Sequence, residues 1–295
     1  MGIYMSWAVS LVLSAWAVTI VEASDWRLNE PAPIPSSQHR EQIGQLVCGK
    51  SGFELSAEGV RCKVCPKFTG NPGSNEGLHI VHSLRGRFTS AGTENEWLLD
   101  TEGCEAHYTS FGGAILLSHT APKTVFTMPS VGLGSSLVVK PTAGPLALAY
   151  YKPGFRVNDC LPWIGKDDRT LLVCNEADLA QGEIIGHISS MEISRRGITR
   201  WRLLRWYDNS SSDMSHIVSV LPVGMRRIEQ EDGTQGLQIK LKIFEASREV
   251  YEKGSAPTAR QMSLFFKRKG QRFFATKITQ EQLKEIGELT WKMLE

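Results

Sequence analysis

From residue 78 to about 190, short apolar runs alternate with clusters of Gly, Asn, Asp and Pro. That is the rhythm of β-strands joined by turns. The runs predict strands at Leu78–Leu84, Glu96–Asp100, Ala114–His119, Thr124–Met128, Ser136–Val139, Ala147–Tyr151, Thr170–Cys174 and Glu183–Ile188. Nothing in this stretch carries the three-to-four spacing of an amphipathic helix. Further strands are expected at Ile198–Trp206, His216–Leu221, Arg226–Ile228, Leu237–Phe244, Met262–Phe266 and Arg272–Ile278. Asp232-Gly233 and Lys269-Gly270 sit between pairs of these runs as hairpin turns. Only the end of the chain reads as a helix. Thr279 with Gln282 three residues on resembles a capping box, and Leu283, Ile286, Leu289 and Leu294 follow near helical spacing. The expected fold is mainly β, built of antiparallel meanders as a partial propeller or a sandwich, with disulfides and one C-terminal helix.

The apolar pattern of the first residues is of another kind. Met1 to Val21 holds no Lys, Arg, Asp or Glu, and Val21-Glu22-Ala23 supplies residues suited to a signal-peptidase cut before Ser24. Residues 1–23 are therefore expected to be a signal peptide, or, if uncut, an anchor. Residues 24–40, with Pro31, Pro33 and Pro35, read as an extended leader. Residues 41–77 form a Cys-rich segment ending in a run of turn residues. A β-meander region follows at 78–190, and a basic β region with the C-terminal helix at 191–295.

Export changes how the six cysteines are read. An even number in an oxidising compartment implies a disulfide framework of Cys48, Cys62, Cys65, Cys104, Cys160 and Cys174. Cys160 and Cys174 are the pair expected to bridge, stapling a strand end back to its preceding loop. The pairing of the other four stays open. Cys62-Lys63-Val64-Cys65 is also a C-x-x-C, the spacing used for thiol–disulfide exchange. With Cys48 and a fourth ligand it fits a zinc knuckle.

Two stretches share an order of elements. Phe111-Gly112-Gly113-Ala114 precedes an apolar run, and Lys166-Asp167-Asp168-Arg169 precedes Leu171-Leu172-Val173. Together they resemble FG-GAP repeats over residues 79–190. The resemblance implies a β-propeller architecture and an extracellular adhesion or ligand-binding role. It does not extend to the family's calcium loop. A full propeller needs four or more blades, and two to three are found, so a partial propeller or a sandwich is implied.

Charge adds one candidate surface. Residues 195–295 hold 19 Lys or Arg against 12 Asp or Glu, whereas residues 24–194 hold 14 against 18. Within the basic third, Arg200, Trp201, Arg205 and Trp206 combine anion-pairing and stacking groups. They are the expected binding residues for a protein, glycan or anionic envelope surface. Nucleic acid is not expected as a partner, and membrane contact is expected only through an uncut signal. His79 and His82 lie three apart, which in a regular strand sends them to opposite faces. No nucleophile elbow, zinc-protease motif or phosphate loop occurs. No catalytic residue, metal or cofactor is expected. The functional expectation is a secreted or periplasmic, non-catalytic binding or structural module. The alternative is a thiol–disulfide oxidoreductase using Cys62 and Cys65. A hydrolase with an unrecognised site also stays open.

Overall fold

A computed structural model describes residues 37–56, 59–69, 71–89, 96–104, 113–118, 147–153, 160–165, 168–180, 182–194, 197–230, 233–254 and 259–291. The signal segment, most of the leader and the strands expected at 124–128 and 136–139 lie outside these residues. So do Phe111, Gly112, Lys166 and Asp167 of the FG-GAP-like motifs.

The chain forms two antiparallel sheets, each with its strands in sequence order. The first opens with a helix that the sequence pattern does not announce, α1 (Ser37–Cys48). It takes up the end of the expected leader. Its apolar residues are few, but Ile43 and Val47 fall one turn apart and are buried. Six strands follow: β1 (Phe53–Leu55), β2 (Val60–Cys62), β3 (His79–Gly86), β4 (Glu96–Glu102), β5 (Gly113–Ser118) and β6 (Ala147–Pro153). The second sheet has eight: β7 (Cys160–Ile164), β8 (Thr170–Ala180), β9 (Glu183–Ser194), β10 (Gly197–Asp208), β11 (His216–Glu229), β12 (Gln235–Ser247), β13 (Arg260–Lys269) and β14 (Arg272–Ala275). A short helix α2 (Arg248–Glu252) separates β12 from β13, and α3 (Lys277–Trp291) ends the described chain.

The division between sheets falls between β6 and β7. The boundary expected at 77 lies between β2 and β3 of one sheet, and the one expected at 190 lies inside β9. The first FG-GAP-like stretch occupies β3 to β5. The second spans β6 at the edge of that sheet and β7 to β9 of the other.

Three apolar layers hold these parts together. α1 and the Cys-rich segment cover one face of the first sheet, with Ile43, Val47, Leu78, Leu99 and Ile115 inside. The opposite face meets the second sheet, where Phe88, Leu98 and Leu116 pack on Leu172, Met191 and the Cys160–Cys174 bridge. Backbone bonds fasten this junction: Thr170 N–H donates to the Arg87 carbonyl at 2.7 Å, and Arg87 N–H donates to Thr170 Oγ1 at 3.0 Å. The third layer lies within the second sheet. β10 and β11 pair only at Tyr207–Val220 and Asp208–Ser219. The sheet folds there, bringing Trp163, Val173, Ile188 and Trp206 against Val220, Ile239, Leu264 and Phe266.

α3 starts three residues earlier than its sequence suggests. Thr276, not Thr279, caps it, its Oγ1 accepting the Thr279 N–H at 3.3 Å. The Thr279 hydroxyl instead accepts the Phe265 N–H at 2.8 Å. β14 pairs with β13 only as far as Phe266, so the helix takes over the edge that β14 leaves. Its Leu283, Ile286 and Leu289 enter the core.

The outer edge at β7 is closed by arginines. Arg227 donates to the Pro162 carbonyl, and Arg268 donates to the Ile164 carbonyl at 2.7 Å. Both guanidinium groups lie over the Trp163 ring, 5.4 and 5.5 Å from its centroid. Two carbonyls of this edge are thus capped by side chains instead of a further strand. Burial lowers the pKa of both arginines, and Arg227 lowers that of Arg268 further.

Three disulfides staple the layers: Cys48–Cys62, Cys65–Cys104 and the expected Cys160–Cys174, whose partners stand opposite each other on β7 and β8. Bridges of this number indicate an oxidising environment of the extracellular kind. Among the described residues, no helix is long and apolar enough to cross a membrane.

Candidate binding surface

β10 pairs with β9 in a ladder broken by one bulge. Arg200 stands opposite Met191 and Arg202 opposite Ser189; after the bulge at Leu203, Arg205 stands opposite His187. In a regular strand Arg202 and Arg205, three apart, would point to opposite faces. The inserted residue shifts the alternation, so all three arginines share one face. Glu176 on β8 stands opposite His187 and joins the same face. Arg200 reaches Glu176, with Nη1 to Oε1 at 3.6 Å.

The result is a row of three arginines on one face. Its effect is visible on His187, whose pKa is pushed down to about 4. Burial is the largest cause, followed by Arg202 and Arg205, while Glu176 opposes them. The imidazole is therefore neutral at physiological pH, and the three guanidinium groups share their face with acidic positions Glu176, Asp178 and Glu183. Guanidinium forks match carboxylate, sulfate and phosphate oxygens in geometry as well as charge.

The two expected tryptophans take no part in this face. Trp206 is only 4% exposed. It points into the folded core, where its Nε1–H donates to Asn175 Oδ1 at 2.8 Å. Gly186 lies directly beneath it, and any Cβ there would run into the indole. Trp201 also lies on the core side, half-buried, with the Arg272 guanidinium 5.6 Å from its ring. Their spacing with the arginines reflects strand alternation, polar out and aromatic in. Of the expected binding residues, Arg200 and Arg205 lie on this face. Trp206 is structural. Arg202 and His187 are the additions, and their part depends on register that the sequence does not display.

The cysteine motif divides in the same way. Cys62 is bonded to Cys48 and Cys65 to Cys104. Thiol exchange by a C-x-x-C needs its two sulfurs to face each other, and here each belongs to a different bridge. All six sulfurs are used, so the zinc arrangement of Cys48, Cys62 and Cys65 is also replaced by bridges.

A second bulge alters the histidine pair. His79 stands opposite Glu102, Ile80 opposite Thr101 and His82 opposite Asp100, leaving Val81 as the extra residue. His79 and His82 therefore share the face of Asp100 and Glu102, contrary to the regular alternation expected for them. Among the described residues, no group of three or more His, Cys, Asp or Glu is close enough to hold a metal ion.

Asn209-Ser210-Ser211 has the spacing of a glycan acceptor, but Asn209 is fully buried. Its amide donates to the His216 carbonyl at 2.9 Å and accepts the Val218 N–H at 2.8 Å. Arg248 holds the same turn by donating to the carbonyls of Ser210, Ser212 and Met214. The sequon is thus a structural corner.

Compared with known proteins, the chain matches no family model, no curated protein and no solved structure.

Proposed function

We propose that this chain is an exported, non-catalytic binding module that takes an anionic protein, glycan or envelope polymer on the arginine face of β8–β10. The observation that carries the reading is the convergence of Arg200, Arg202 and Arg205 on one face around His187. Guanidinium groups aligned on one face favour a ligand bearing carboxylates or sulfates. The export part rests on the pattern of residues 1–23 and on the disulfide framework.

The test uses a sulfated polysaccharide as probe, with affinity measured by calorimetry. Arg200→Ala with Arg205→Ala should weaken binding by about a hundredfold or more, since charge-assisted contacts contribute about 1.5–3 kcal/mol each. Wild-type affinity in the double variant, with the fold intact, would remove the arginine face from the function.

A further inference from the structure

The end of the folded second sheet beside β7 carries charge where its strands call for apolar residues. On β11 the core-facing row runs from buried Met225 to Arg227, and on β13 from Leu264 and Phe266 to Arg268. Arg268 stands opposite core-facing Phe273 of β14. Strand alternation thus sends both arginines to the core side, and each reaches across to β7. Arg227 takes the Pro162 carbonyl and Arg268 the Ile164 carbonyl. These carbonyls are two residues apart on an extended strand, hence about 7 Å apart along one edge. The two guanidinium groups are thereby held side by side, and a phosphate seated between them can accept from both.

The partners of these two groups are neutral: the two β7 carbonyls, the Trp163 ring, the Gly270 carbonyl and the Gln235 amide oxygen. Such acceptors solvate a guanidinium but leave its charge in place. Burial lowers the pKa of both arginines, and Arg227 lowers that of Arg268 further; among the described residues no carboxylate offsets these effects. Glu229, next in the β11 row, is exposed and forms no ion pair with either arginine.

Donors are also left over. A guanidinium has five N–H groups; among the described residues Arg227 gives one and Arg268 three. The indole N–H of Trp163, on the ring both groups cover, is buried without an acceptor. The Gln271 amide lies against Gly165 with its oxygen unpartnered, and it can turn to present N–H instead.

Two adjacent cations with surplus donors match a ligand that is doubly negative and rich in acceptors. A single carboxylate supplies one charge, whereas a phosphate group approaches two near neutral pH. Arginine forks also fit its oxygens in geometry. We propose that Arg227 and Arg268 form a phosphate-binding site at the β7 edge, for free phosphate or a phosphate monoester. It is a different site from the arginine face of β8–β10, and neither rests on the other.

The test titrates the full chain with inorganic phosphate and follows the arginine side-chain Nε–H resonances by NMR. Those of Arg227 and Arg268 should shift together and saturate, while acetate at equal ionic strength leaves them in place. Glucose 6-phosphate is the second probe: tighter binding than phosphate makes the ligand a monoester, weaker binding makes it the free ion, and either supports the site. Arg227→Gln with Arg268→Gln should weaken phosphate binding, read by calorimetry, by at least about tenfold. A thermal midpoint confirms that the variant folds; if it does not, the resonances of the unmutated chain decide alone. No saturable shift at Arg227 and Arg268 would overturn the proposal, as would shifts confined to Arg200, Arg202 and Arg205. An equal response to acetate would reduce the effect to charge screening and overturn it too. So would undiminished phosphate affinity in the folded glutamine variant, which would leave both arginines as caps on the β7 edge.

Discussion

The six-stranded sheet begins with two strands of three residues, β1 and β2, whereas β8 to β12 of the second sheet each run for eleven residues or more. The short strands cannot bury much apolar surface. At that end of the molecule the chain supplies two covalent bridges, Cys48–Cys62 and Cys65–Cys104, and lays α1 over the sheet. The second sheet carries one bridge, at its β7–β8 edge. Its interior is closed instead by folding at the β10–β11 corner and by the apolar side of α3. One region relies on cross-links and the other on packing, so they should respond to different insults.

The largest contrast is expected on removing the two N-terminal bridges. In the chain-entropy treatment they contribute about 3 and about 4 kcal/mol, for loops closed over 14 and 39 residues. Replacing these four cysteines by Ala should strip amide-exchange protection from α1, β1 and β2 while β10 to β13 keep theirs. If protection is lost throughout, the two sheets unfold as one unit and the contrast fails. The mirror experiment is Trp206→Ala. Truncating a buried aromatic costs about 3–5 kcal/mol, and here the loss falls on the packed region with every bridge intact. Urea unfolding followed by circular dichroism should show that loss. A midpoint within error of wild type would mean that the fold around Trp206 is not the source of stability.

A smaller effect sharpens the account of α3. Thr279 serves the edge of β13, not the start of the helix. Thr279→Val keeps the shape but leaves the Phe265 N–H without its acceptor, at a cost of about 1–3 kcal/mol. Thr279→Ser should restore most of it, as read from the thermal midpoint. Full stability in the Val variant would return Thr279 to a passive role.

How much of this was legible in the sequence follows from physical scale. Most long strands of the second sheet announce themselves because one face is apolar and the other polar over many residues, but β11, expected as two runs at His216–Leu221 and Arg226–Ile228, is one strand whose bulge after Pro222 breaks the alternation. β7 does not, being five residues long with Pro162 inside it, which suits an edge. α1 is hidden because its helical face rests on few apolar residues after a Pro-rich run. Thr279 looks like a cap because a glutamine lies three residues on, yet the true cap, Thr276, sits where a strand was expected to continue. The cysteine framework was legible as a set. One pair followed from its loop, while the others depend on where α1 and the β4 end come to rest. The candidate surface was half legible. Arg200 and Arg205 are visible as residue types, but the bulge that joins them to Arg202 and the strand that brings His187 beneath them are properties of pairing, which no single segment encodes.

His187 offers the finest test of whether that pairing makes a functional surface. Its folded-state pKa of about 4 lies below the ordinary histidine value of 6.5. Between these values the unfolded chain binds a proton that the folded protein refuses, so stability should rise with pH across the window. The contribution is present above about pH 6.5 and is lost as pH falls through 4. His187→Gln should flatten the dependence of stability on pH within that window, and Arg202→Ala should raise the pKa by removing a neighbouring positive charge. An anion bound across the arginines would do the same, so binding near pH 5 should be accompanied by proton uptake that His187→Gln abolishes. A ring that titrates near its ordinary value in the free protein would show that the arginines do not converge on it. The cationic face would then be three separate surface charges, each with too little reach to select a ligand.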